Sequence, residues 1–66
     1  MNFKIGDVAA YRPSHVKNLT STTGLEKGVV SSISDDGNYV RVKFFNSLSE
    51  YGQSCSPRDL IMVQPA

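Results

Sequence analysis

The sequence predicts an all-β fold: a small antiparallel barrel of five short strands, with one 3₁₀ turn before the last strand. Three observations carry that prediction. Apolar residues recur with a period of two, most clearly in SDDGNYVRVKFF (residues 34–45), where Val40, Val42 and Phe44 alternate with Tyr39, Arg41, Lys43 and Phe45. Glycines, prolines and Ser/Asp/Asn clusters cut the 66 residues into pieces of strand length, which leaves no room for a long helix. Gly28, set in an otherwise β-branched run, marks a bulge or a close backbone approach, the usual device for bending a small sheet.

The elements follow in order. Phe3 and Ile5 alternate with polar residues, and Gly6-Asp7 then leads into Val8-Ala9-Ala10-Tyr11, a first strand stopped by Pro13, which lacks a ladder donor. Residues 14–24, SHVKNLTSTTG, show no period and read as a long excursion loop. Residues 25–34 read as the second strand. Asp35-Asp36-Gly37-Asn38 is the strongest hairpin signal, because Asp-Gly supplies the positive backbone dihedral of a type I′ turn or a glycine bulge. The third strand covers 39–45, a second loop covers 46–52, and a short fourth strand runs through Gln53-Ser54-Cys55. Ser56-Pro57-Arg58-Asp59 then has the chemistry of a helical start, with Ser as cap, Pro at the first position and an acid three residues after the cap. Leu60-Ile61-Met62-Val63 is too short and too β-branched to continue it. A single 3₁₀ turn feeding a final strand is therefore expected.

Composition limits function. A chain of 66 residues is one domain, burying only about 60% of the surface its unfolded form exposes. Cys55 is the single cysteine, which excludes an internal disulfide, and one Cys with one His cannot close a structural zinc site. No signal-peptide pattern and no apolar run of membrane-spanning length is visible, so the expected location is the reducing cytoplasm, with no membrane partner. Seven Lys and Arg against six Asp and Glu leave a net charge of +1, too small for a strong non-specific grip on nucleic acid. Any binding must come from local arrangement of charge.

The order Gly6-Asp7-Val8, Gly24-x-x-x-Gly28-Val29-Val30, Asp36-Gly37…Val40-x-Val42-x-Phe44 and Pro57-x-Asp59-Leu60…Val63 resembles the SH3-like barrel over nearly the whole chain. The nearest likeness is to KOW and Tudor-type modules and to many small uncharacterised phage-encoded proteins. Each of these pieces is a packing or turn signal, so the resemblance implies a fold and says little about activity.

The residues that carry chemistry are few. His15 lies in the polar loop between Arg12 and Lys17, where a solvated role is expected. Cys55, two residues before Pro57, reads as a small buried core residue with no activating base beside it. Asp35-Asp36 is turn chemistry and lacks the spaced oxygens of a calcium loop. One enzyme family of this size is similar in fold, the plasmid-type dihydrofolate reductases, whose site strand carries Val-Gln-Ile-Tyr-Pro. Here Gln53-Ser54-Cys55-Ser56-Pro57 spaces Gln and Pro one residue further apart and replaces the aliphatic–aromatic pair with Ser and Cys. Those side chains cannot wall a pteridine or a nicotinamide. The sequence therefore predicts no enzyme and no cofactor.

What remains is the outer face of the third strand. Tyr39, Arg41, Lys43 and Phe45 set two cations between two aromatics, a pattern that suits a protein-docking patch or a single-stranded nucleic acid, while also being ordinary for a solvated strand. The low net charge puts a protein partner ahead of nucleic acid. The SH3-like resemblance adds a groove between loops as a second binding place, which carries over to Tyr11, His15, Lys17 and Tyr51. Homo-oligomerisation through exposed strand edges competes with both.

Overall fold

A computed structural model describes residues 2–12, 24–48 and 51–66. Its elements run β1 (Val8–Tyr11), β2 (Lys27–Ile33), β3 (Val40–Phe44), β4 (Gln53–Cys55), a 3₁₀ turn η1 (Pro57–Asp59) and β5 (Leu60–Gln64). Every ladder is antiparallel, and the single sheet has the order β4-β3-β2-β1-β5. The described residues are thus all-β, with five antiparallel strands and one 3₁₀ turn. The sheet does not close into a barrel: β4, three residues long, turns directly into η1, and no ladder joins it to β5. Residues 14–23 of the expected excursion loop lie outside the described residues.

Alternation decides which way β3 faces. Val40, Val42 and Phe44 are buried, while Arg41 and Lys43 between them are exposed. The buried three join Phe3, Ala9, Val30, Cys55 and Leu60 in one core cluster, with Ile33 and Met62 packed against it. Both ends of the sheet contribute to that cluster, Cys55 from β4 and Leu60 from β5, so the sheet is wrapped around one core.

Gly28 marks the close approach. A Cβ there would fall 2.5 Å from the Lys43 carbonyl oxygen, so β2 and β3 can touch only because the side chain is missing. The irregularities themselves sit elsewhere: the β2–β3 register shifts between Val30 and Ser32, and the β1–β5 register shifts between Val8 and Ala9. An extra residue in one strand bends it and increases its twist, which lets so short a sheet curl.

The β2–β3 hairpin is of the glycine-bulge kind. The Gly37 amide donates to the Ser34 carbonyl (3.0 Å), and Gly37 (φ 73°) is the only turn residue with positive φ, whereas type I′ needs two. The Asp36 carboxylate accepts from the Ser34 hydroxyl (2.7 Å) and the Asn38 amide (3.0 Å), which holds its carboxyl below the ordinary carboxylate range, the Asn38 bond being the larger cause. At η1 the expected serine cap is not made. The Ser56 hydroxyl accepts from Arg58 Nε (3.3 Å), and the turn is closed by backbone alone, Asp59 N–H to the Ser56 carbonyl (2.9 Å) and Leu60 N–H to the Pro57 carbonyl. A single turn presents too few unpaired amides for a side-chain cap to be required.

Candidate functional site

The outer face of β3 is built by the same alternation that builds the core. Arg41 pairs across the sheet with Ser32 on β2 and Ser54 on β4, so its guanidinium stem crosses a row of small hydroxyl side chains. Lys43 pairs with half-buried Val29. Tyr39 and Phe45 stand just beyond the two ends of the strand, 58% and 61% exposed. Among the described residues no carboxylate pairs with Arg41 or Lys43.

Tyr39 is held at the mouth of the hairpin through its backbone. Its amide donates to the Ser34 hydroxyl (3.0 Å), and its carbonyl accepts from the Ser34 amide (3.0 Å). The backbone at the hairpin mouth is therefore clamped on both sides. The side chain forms a shared wall between two open clefts. The larger, about 450 Å³, lies between the hairpin turn and η1 and is lined by Gly37, Asn38, Tyr39, Ser56, Pro57 and Arg58. The smaller, about 140 Å³, opens over the sheet and is lined by Ser32, Ile33, Ser34, Tyr39, Arg41 and Ser54.

The sequence-predicted site divides into separate places. Tyr39, Arg41, Lys43 and Phe45 share one face. Tyr11 pairs with Leu60, a core residue, so it takes the opposite side of the sheet and is 38% exposed there. Tyr51 is exposed in the β3–β4 connection. His15 and Lys17 lie outside the described residues. The sequence reading missed Arg58, which η1 carries to the Tyr39 cleft, and Leu48, fully exposed in the connection after β3. Arg58 had no periodic signal, being three residues from one strand and two from the next. An apolar residue in a polar loop, NSLSEYG, was the available sign for Leu48.

Cys55 is buried at the β4 end of the core. Its thiol contacts the Gln53 carbonyl oxygen (3.6 Å), and burial, with a smaller contribution from the Asp59 charge, raises its pKa above the ordinary 9.0. At neutral pH it is a protonated thiol, a poor nucleophile. Among the described residues no three His, Cys, Asp or Glu side chains gather as a metal site, and no helix is long and apolar enough to cross a membrane. No protein-family profile, curated protein or solved structure matches the chain.

Proposed function

We propose that this protein is a non-enzymatic binding module that docks a protein partner on the outer face of β3. The observation that carries the reading is the exposure of Tyr39 and Phe45 at the two ends of a strand whose two cations have no carboxylate partner among the described residues. Exposed aromatics rimmed by charge tend to mark contact surfaces. The strand order, with η1 immediately before β5, supports the finer description of the fold as an SH3-like sheet, a partly open barrel. Self-pairing of strand edges has less support. Edge β4 is three residues long, and edge β5 carries the irregularity opposite Val8 and Ala9 and is followed by Pro65, all features that blunt an edge.

The test is a pull-down with the wild type and with the double variant Tyr39→Ser/Arg41→Ser, with and without nuclease. The expected result is a protein captured by the wild type, resistant to nuclease and lost on the folded variant. Retention by the variant overturns the surface. Loss of all capture on nuclease treatment replaces protein with nucleic acid.

A further inference from the structure

Resting on that docking surface, we infer that the partner is recognised through carboxylates: an extended acidic segment whose acidic side chains lie on either side of Tyr39, one toward Arg41 and one toward Arg58. Tyr39 separates two clefts, and each contains one arginine. Among the described residues, the remaining polar side chains lining them are Ser32, Ser34 and Ser54 in one and Asn38 and Ser56 in the other, and none of the lining residues is acidic. The guanidinium fork matches a carboxylate in two parallel hydrogen bonds, which a lysine cannot copy.

The strand geometry sets the spacing. Tyr39 and Arg41 are two residues apart on one face, about 6.6–6.8 Å along the strand. A ligand laid along β3 in the same extended form repeats its own side chains at that interval. An apolar residue against the Tyr39 ring then has neighbours two positions away on each side, one over Arg41 and the other toward the cleft that Arg58 lines.

The same surface argues for discrete carboxylates over a phosphate chain. Asp35 and Asp36 are exposed in the turn that forms one wall of the larger cleft. Asp36 is held ionised by its bonds to Asn38 and Ser34. A nucleic acid carries a charge at every nucleotide and would run past these two acids. A peptide can place its charges only where the arginines are.

The experiment titrates the purified protein with a labelled peptide of the pattern Glu-Thr-Leu-Thr-Glu, with its Gln-for-Glu analogue, and with oligothymidylate. The expected result is binding of the acidic peptide about tenfold or more tighter than the neutral one. Arg41→Ser and Arg58→Ser should each weaken it about 3- to 10-fold, as for partly solvated charge-assisted bonds. An amide NMR titration of the unmutated protein locates the contact independently of any variant, and shifts should cluster at Gly37, Asn38, Tyr39, Ser54 and Arg58. Equal binding of both peptides, abolished by Tyr39→Ser, keeps the docking surface and overturns its acidic specificity. No binding of the acidic peptide, or shifts away from Tyr39, also overturns it. Tighter binding of oligothymidylate than of the acidic peptide overturns the protein reading itself.

Discussion

Asp7 is the one charged side chain buried among the described residues, only 2% exposed, and it ties distant parts of the chain together. One carboxylate oxygen accepts the Ala66 amide (2.7 Å) and the other the Lys4 amide (2.7 Å), while its own backbone bonds Lys4 and Val30. These bonds, the Ala66 one first, hold its carboxyl below the ordinary 3.8. A group depressed in the folded state contributes stability that is fully present above its unfolded pKa and is lost as pH falls through the folded one. Asp7→Asn places an amide donor against one of two incoming N–H groups, so the variant should melt several degrees below the wild type at pH 7. The gap should narrow as pH falls below about 3.8. Melts from pH 7 to pH 2 check this, and a gap independent of pH would show that the loss is steric. Nothing in the sequence near Gly6-Asp7 announced the role, since the Ala66 partner is 59 residues away. Cys55 was legible, because a small apolar-compatible residue at the end of a strand has few other places to go. Its burial and raised pKa predict slow modification by thiol reagents at neutral pH in the native protein and rapid modification after denaturation.

Among the elements, the β2–β3 hairpin shows what local chemistry can and cannot specify. Asp-Gly required a turn with positive φ at Gly37, and the turn is there. The choice of glycine bulge over type I′ came from Ser34, whose carbonyl receives the Gly37 amide and whose hydroxyl bridges Asp36 and Tyr39. Gly37→Val should cost roughly 1–2 kcal/mol by forcing a β-branched residue into the left-handed region. An unchanged urea midpoint would refute that conformation. Gly28→Ala acts by a different cause, a methyl driven against the Lys43 carbonyl, and should cost about 1–3 kcal/mol as other overpacked sites do. The strands themselves were legible because a period of two needs only neighbouring residues. The register shifts at Val8/Ala9 and at Val30/Ser32 were not, since they depend on how two strands meet.

At the scale of the whole molecule, one alternating strand serves core and surface at once, and adjacent residues therefore have opposite mutational fates. Val42 is wholly buried in the cluster that both sheet ends share, whereas Arg41 faces solvent between Ser32 and Ser54. The part of the candidate site on the outer face of β3, Tyr39, Arg41, Lys43 and Phe45, was legible from that alternation. Arg58 was not, because it reaches the same place only once η1 has brought β5 back to pair with β1. A domain of this size has a stability of only about 3–10 kcal/mol, and an unpaired buried charge costs several kcal/mol. Val42→Asp should consequently abolish the folded state. Arg41→Asp introduces the same carboxylate one residue away, where it remains in water and breaks no ion pair among the described residues. It should change the melting temperature by no more than a typical surface substitution, within about 0.5 kcal/mol. Its effect belongs to binding, where a repulsive charge in place of an attractive one should weaken an acidic partner more than Arg41→Ser does. Circular dichroism melts of the two variants and one binding titration of Arg41→Asp test both halves together. A folded Val42→Asp would mean that the alternation of β3 does not define the core. An unfolded Arg41→Asp would assign its outer face to structure and remove it as a docking surface.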